Sequence, residues 1–315
     1  MLVLTHSSIQ TFRDCHKKYD FAYNQFLKPK KQSWALIDGS NVHLALETYY
    51  GVPPSQDVVA TPSDAKEGAL KGIITVLETL YDKETEYEEE ERDLHRTIAV
   101  GLFKGYADIY PQDEFQEYVP EVRFSIEVEH TGLPEKKFIL CGKTDAKIKQ
   151  NGMPYLFETK TTSSFNLNDY LARLELDDQS DTYLYSFGRM GYPAVGILYN
   201  VLVKPRLKQN VFETSEHFHK RIGKAIMDDV KNAPEKRKYF RREMIYRSPE
   251  ELTKWHAELL QIADDMYRYY PYKNPARCAD YKGCQYKKLC EGMETDRFYI
   301  SQTFTLKGNQ HEEIG

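Results

Sequence analysis

The sequence predicts an α/β fold, a central mixed sheet flanked by helices, and three observations carry that expectation. Val122, Phe124, Ile126 and Val128 alternate with Arg123, Ser125, Glu127 and Glu129, the period of a strand with one buried face. Residues 195–203 are almost continuously apolar, as in a strand covered on both faces. Between them Asn151-Gly152, a dipeptide that tolerates positive φ at both positions, joins two strand-like runs, 138–148 and 155–160, into a hairpin.

The other elements follow in chain order. Thr5, Ser7 and Ser8 offer hydroxyl caps for a helix to about Phe26, with Ile9, Phe12, Cys15, Tyr19 and Ala22 at helical spacing. Within it Cys15 reads by itself as a small core residue. A second helix covers about 33–50. His43 and Glu47 share one of its faces, and Gly39, a turn earlier, leaves room for a backbone or a ligand. Taken alone, His43 reads as a hydrogen-bonded helix histidine. Pro53-Pro54 closes this unit. Two long helices are expected over 63–82 and 86–110, the first with the stripe Leu70, Ile73, Ile74, Leu77 and Leu80. The acidic run 84–91 between them reads as a solvated face or loop, since it would repel a phosphate backbone. A turn at 131–134 leads into the hairpin. The polar loop 161–164 then precedes a helix over 168–190, on which Gln179 and Tyr183 share a face.

After the buried strand comes the basic patch 204–208 and a helix over 213–231. Lys236-Arg237-Lys238-Tyr239-Phe240-Arg241-Arg242 fits either an exposed charged strand or a groove wall that tracks phosphates and stacks bases. Ser248-Pro249-Glu250-Glu251 is a full helix start, with a capping box and Pro at the first helical position, and the helix runs to about Tyr269. The organisation expected is N-terminal helices over 1–54 carrying Cys15 and His43, a helical insertion over 55–112, and the core sheet with its helix over 113–212. C-terminal helices and a cysteine segment follow over 213–300, then a poorly structured tail over 301–315.

Composition narrows the class. In 315 residues, 41% hydrophobic content suffices for a core, and a net charge of −5 gives no global sign of nucleic-acid binding, so local patches must serve. No apolar run reaches membrane-spanning length and no charged-then-apolar leader opens the chain, so a soluble, cytoplasmic protein is expected. Five cysteines, an odd number without a secretory signal, argue against a disulfide framework.

Two constellations carry chemistry. The hairpin returns Glu158 and Lys160, two apart and on one face, beside Asp145. Neighbouring carboxylates repel unless something positive lies between them, and Asp and Glu oxygens suit Mg²⁺ or Mn²⁺. A surface salt bridge is the bland alternative. The second is Cys278, Cys284 and Cys290 at repeated C-x5-C spacing in a polar segment. Thiolates gather in this way for zinc or iron–sulfur, and Cys15 can supply the fourth ligand.

Gly39…His43…Glu47, Gly142…Asp145, Glu158-Thr159-Lys160 and Gln179-x3-Tyr183, in this order, resemble the PD-(D/E)XK nuclease superfamily, most closely its RecB-type branch. An early Cys15 with a C-terminal cysteine triad, and the opening Ser7-Ser8-Ile9-Gln10-Thr11-Phe12, resemble the iron–sulfur subset of that branch. That subset includes AddB-type helicase–nuclease subunits and the nucleases of CRISPR spacer acquisition. The resemblance implies a restriction-endonuclease-like core that cuts DNA, as an exonuclease on ends or single strands in recombination, repair or DNA processing. A helicase or recombination partner is an expectation of the same kind. It implies that His43, Asp145 and Glu158 bind Mg²⁺ or Mn²⁺, with the Thr159 carbonyl as a further ligand. Lys160 positions the attacking water or stabilises developing charge, while Gln179 and Tyr183 hold the site and the strand. It also implies a [4Fe–4S] cluster on Cys15, Cys278, Cys284 and Cys290. Many relatives have C-x2-C first, and the wider spacing here keeps zinc open. A non-catalytic DNA-binding or assembly subunit with a vestigial site and a structural zinc protein are the rival readings.

Overall fold

The computed structural model describes residues 1–51, 62–111, 114–130, 133–164, 166–279, 283–293 and 298–300. Pro53-Pro54, the start of the turn at 131–134 and the tail beyond residue 300 lie outside these residues. In chain order the elements are β1 (Leu2–Leu4), α1 (His6–Asp14), α2 (His16–Tyr19), β2 (Leu27–Pro29), α3 (Trp34–Gly51), α4 (Pro62–Asp82) and α5 (Glu89–Ile109). Then come β3 (Glu117–His130), β4 (Leu133–Gln150), β5 (Met153–Thr162), α6 (Leu167–Glu175), α7 (Asp178–Arg189), β6 (Ile197–Val203) and α8 (Ser215–Val230). Last are β7 (Phe240–Ile245), α9 (Pro249–Arg268), α10 (Pro275–Cys278), α11 (Lys287–Cys290) and β8 (Phe298–Ile300). The chain divides into two compact units, one of 1–32, 127–141 and the residues from 253 on, the other of 33–126 and 142–252.

In the first unit β1 runs parallel to the start of β4, Leu2 opposite Phe138 and Leu4 opposite Leu140, and β2 pairs antiparallel with β8. Thr5 and Ser8 close a reciprocal capping box on α1, which satisfies two amide donors that a helix start leaves over. The helix expected through Phe26 is broken at Cys15, which is extended at φ −165° and ψ 117°. The cause is distant in sequence. The Asn274 side-chain amide donates to the Asp14 carbonyl at 2.8 Å, and the Lys17 amide donates to the Tyr272 carbonyl at 3.0 Å. The Asp14 carbonyl and the Lys17 amide thus find partners outside the helix. A π-helical turn, Asp20–Asn24, continues the chain after α2.

In the second unit β4 pairs antiparallel with β5, β5 parallel with β6, and β6 antiparallel with β7, while β3 also pairs with β4. This is the mixed sheet that the alternation and the apolar run imply. Asn151 and Gly152 both adopt positive φ, 51° and 78°, as the hairpin requires. All of β6 is buried. Ile148, Phe157 and Leu202 of the sheet share one core with Val42, Leu46 and Tyr49 of α3, Leu77 and Tyr81 of α4, and Phe103 and Tyr106 of α5. Each such side chain contributes about 1.5–3 kcal/mol when buried. Strand alternation sends Phe157 into this core and Glu158 to the opposite face.

Two expectations change here. The helix over 168–190 is two helices, because Asp177 accepts from the Gln179 amide at 2.9 Å and starts α7 anew. The basic cluster 236–242 is not one charged face. Arg242 turns inward, forks onto Glu114 at 2.6 and 2.7 Å and bonds the Tyr106 hydroxyl at 2.8 Å. Arg237 donates to the Asn232 carbonyl. Ser248 and Glu251 cap α9 reciprocally, as the sequence predicts. Among the described residues no helix is long and apolar enough to cross a membrane.

Candidate active site

The hairpin and two helices of the second unit position the side chains that the sequence singles out. β4 presents Asp145, β5 presents Glu158, Thr159 and Lys160, α3 brings His43, and α7 brings Gln179 and Tyr183. The turn residues 151 and 152 set the register that puts Ala146 opposite Phe157, so Asp145 and Glu158 come close on neighbouring strands. Gly142 belongs to this arrangement for a packing reason. A Cβ there would lie 2.6 Å from the Phe124 ring, so only glycine lets β4 sit under that ring. At Gly39 a Cβ would meet nothing nearer than Thr161 Oγ1 at 3.6 Å, and the residue leaves one wall of a cleft open.

His43 Nδ1 lies 3.1 Å from Asp145 Oδ1, and the Thr159 amide donates to Asp145 Oδ2 at 2.6 Å. Glu158 is 5% exposed. Its Oε1 accepts from Lys160 Nζ at 2.9 Å and from Gln179 Nε2 at 2.9 Å. Lys160 also donates to Gln179 Oε1 at 2.6 Å. Gln179 Nε2 donates to the Tyr183 hydroxyl at 2.8 Å, and that hydroxyl donates to the Lys143 carbonyl at 2.7 Å. All seven expected residues of this site therefore meet. Glu158 Oε2 differs from its neighbours: it is buried and has no hydrogen-bond partner among the described residues. A partnerless anionic oxygen beside a second carboxylate fits a cation bound there.

The electrostatics point the same way. Burial works against the charged form of Asp145. The hydrogen bond and charge of His43, the Thr159 amide and Lys160 together outweigh it and hold the carboxyl below its ordinary range. Glu158 is pushed up, first by burial and then by Asp145, against the pull of Lys160 and His43. His43 is raised despite its burial, because Asp145 and Glu158 favour the imidazolium. Lys160 is raised despite burial by Glu158 first. Two acids pushed in opposite directions on adjacent strands are a functional pattern.

His43, Asp145 and Thr159 open onto a cleft of about 420 Å³ that Ser40, Tyr118 and other residues also line. Glu47, Glu121 and Lys143 line it too. The shared face of His43 and Glu47 foreshadows the first of these. Lys143 stands two residues before Asp145 on the same strand, a signal present in the sequence but hidden among many surface lysines.

The cysteine site belongs to the first unit. Cys15, Cys278, Cys284 and Cys290 are free and partly buried. Burial raises the Cys290 thiol, the charges of Cys15, Cys278 and Cys284 raise it further, and Lys273 opposes them. Cys15, Cys278 and Cys284 are thus each within electrostatic reach of Cys290. The Asn274 amide donates to Cys15 Sγ at 3.4 Å, and the Cys284 amide to the Cys278 carbonyl at 3.1 Å. Among the described residues no three His, Cys, Asp or Glu side chains converge as the ligands of a single ion do, neither these cysteines nor His43, Asp145 and Glu158, so an ion at either place would draw its ligands together.

A family model of the PD-(D/E)XK nuclease superfamily matches residues 3–291. The chain belongs to the PD-(D/E)XK nuclease superfamily. The match runs through both units and includes the hairpin acids, Lys160, Cys15, Cys278, Cys284 and Cys290. None of the curated proteins matches the chain. Among solved structures, the crystal structure of protein VC1899 from Vibrio cholerae aligns at 16% identity with a TM-score of 0.19, covering 84% of this chain and 58% of that one. The chain spans less than two thirds of that protein's length. Membership in the superfamily carries the expectation of metal-dependent nuclease chemistry.

Proposed function

We propose that this PD-(D/E)XK protein is a RecB-type exodeoxyribonuclease that acts on DNA ends or single strands in recombination, repair or DNA processing. The observation that carries the reading is Glu158 Oε2, an anionic oxygen buried without a partner beside Asp145 and within the field of His43. His43, Asp145 and Glu158, with the Thr159 carbonyl, would hold Mg²⁺ or Mn²⁺. Such an ion supplies a lowered pKa for bound water and charge relief at a phosphate oxygen. Lys160 holds its ammonium beside Glu158 and offers positive charge where the phosphate gains negative charge. Gln179 grips Lys160 and Glu158 at once, and Tyr183 fixes Gln179 and the backbone of β4. These two residues orient the reacting groups.

The same proposal gives Cys15, Cys278, Cys284 and Cys290 a [4Fe–4S] cluster. A zinc ion needs all four sulfurs at about 2.3 Å from one point. A cluster takes one thiolate per iron and leaves the sulfurs apart. The charges of Cys15, Cys278 and Cys284 acting on the Cys290 thiol support a gathering of the four cysteines.

The test is Mn²⁺-dependent degradation of end-labelled linear and internally labelled circular single strands by the wild type, Asp145→Ala and Lys160→Ala. Loss of degradation in both variants, with circles spared, is expected. Equal degradation by all three refutes the site, and cut circles refute the exonuclease assignment. Protein purified without oxygen is expected to be brown, and colourless protein with bound zinc would remove the cluster.

A further inference from the structure

Lys143 and Asp145 are two apart on β4, so both project from one face, and both line the cleft. The Lys143 ammonium is bonded to the Glu121 carboxylate, and the two side chains are 43% and 42% exposed. Glu121 holds a left-handed backbone at φ 49°, uncommon for a residue with a Cβ. Among the described residues lining the cleft, the acids are Glu47, Glu121 and Asp145, and the one lysine is Lys143. Lys160 does not line it, because Glu158 and Gln179 hold its ammonium. The Glu47 carboxyl is raised by burial first and by Glu121 and Asp145, with Lys143 pulling the other way, so Lys143 acts on Glu47 as well as on its partner Glu121.

A phosphodiester chain entering this cleft meets three carboxylates, the His43 ring and one ammonium held by an exposed ion pair. The backbone beneath that cation is fixed, since the Lys143 carbonyl accepts from Tyr183 at 2.7 Å. Its side chain is tied only by an exposed ion pair, a weak restraint. A lysine in this position is a compact point charge suited to phosphate oxygens. We propose that Lys143 is the phosphate-positioning residue of the cleft, and that the nucleic-acid backbone displaces Glu121 from its ammonium. Glu121 is then a gate, since it holds Lys143 over the cleft and repels any strand that does not displace it. This rests on reading the cleft as a nuclease site.

The experiment measures binding of a fluorescent single-stranded oligonucleotide by anisotropy, in calcium buffer over a salt series, with Mn²⁺-dependent degradation followed in parallel. Lys143→Met is expected to weaken binding about tenfold and to flatten the slope of log affinity against log salt by about 0.7, one phosphate contact on a single strand. Lys143→Arg is expected to restore both, and Glu121→Gln to tighten binding severalfold by removing the competing acid. An unchanged slope in Lys143→Met overturns the proposal. So does Glu121→Gln weakening binding as much as Lys143→Met does, which would make the pair a brace between strands. If the wild type degrades DNA and all variants bind alike, the positioning role falls alone. If binding depends on Lys143 but no metal elicits degradation, the role stands and the nuclease reading falls.

Discussion

Glu158→Gln separates what a metal site gains from what the fold loses by keeping one. In the wild type, Oε1 is satisfied by Lys160 and Gln179 at 2.9 Å each, while Oε2 is buried and partnerless. The carboxyl is pushed above its ordinary range, so the fold is penalised as pH rises from the usual glutamate value through the raised one, with the full penalty above both. The amide keeps an oxygen for Lys160 and Gln179 but loses charge assistance, about 1–2 kcal/mol, and it exchanges a buried partnerless anionic oxygen for a neutral NH2 group in the same place, an offsetting change of about 1–3 kcal/mol. Metal-free stability is therefore expected to stay within about 1–2 kcal/mol of the wild type. Metal response is expected to differ sharply. At a hundredfold excess over its dissociation constant, Mn²⁺ stabilises the wild type by about 2.7 kcal/mol. That raises the melting temperature of a 315-residue chain by roughly 4 °C. Glu158→Gln is expected to retain less than a third of that rise and to degrade no DNA. Differential scanning fluorimetry with and without Mn²⁺ reads both quantities. A variant that keeps the full Mn²⁺ shift would show that Oε2 does not face the ion, and the assignment of the buried acid as a ligand would be wrong.

Two further predictions concern the scaffold. Asp38 is 3% exposed and accepts from Tyr81 at 2.9 Å, His95 at 2.9 Å and Lys204 at 2.8 Å. Burial opposes its charge, but His95 and Lys204 prevail and depress its pKa, so its stabilisation is present above the ordinary aspartate value and vanishes as pH falls through the depressed one. Urea titrations of Asp38→Asn are expected to show a loss of about 2–4 kcal/mol at pH 7 that shrinks below about pH 3.8; a loss constant across that range would exclude the charge as its source. Gly142→Ala puts a Cβ 2.6 Å from the buried Phe124 ring and is expected to cost about 1–3 kcal/mol and to weaken Mn²⁺ binding, because β4 carries Asp145. Phe124→Leu in the same chain is expected to recover much of the loss, and failure of that rescue would place the cause elsewhere.

Local pattern revealed the elements whose causes are local. The hairpin at Asn151-Gly152 depends on two residues that accept positive φ, and both do. The strand around Phe124 alternates buried and exposed residues because one side of the sheet is covered. The break at Cys15 could not be read this way. Its partner, the Asn274 amide, is 260 residues from Asp14, and helical spacing from Ile9 to Ala22 is unbroken. The inward turn of Arg242 was hidden for the same reason, since Glu114 lies 128 residues earlier and the neighbouring lysines suggest an exposed basic strand.

The candidate site follows the same division. Asp145 and Glu158 stand out because the hairpin returns two acids and Lys160 beside each other, whereas His43, ordinary by itself, stands out only through the order of motifs it shares with them. Lys143 and Glu121 are common side chains in strand positions, and nothing in their local sequence separates them from solvated charge. Only their meeting on the cleft wall distinguishes them. Residues that can hold an ion advertise themselves by type and order along the chain, whereas residues that steer a polyanion toward it are defined by the field they share. In this chain that field holds three acids against one lysine in an exposed ion pair, and a strand with evenly spaced negative charges enters such a cleft only if that lysine is free to leave its own carboxylate.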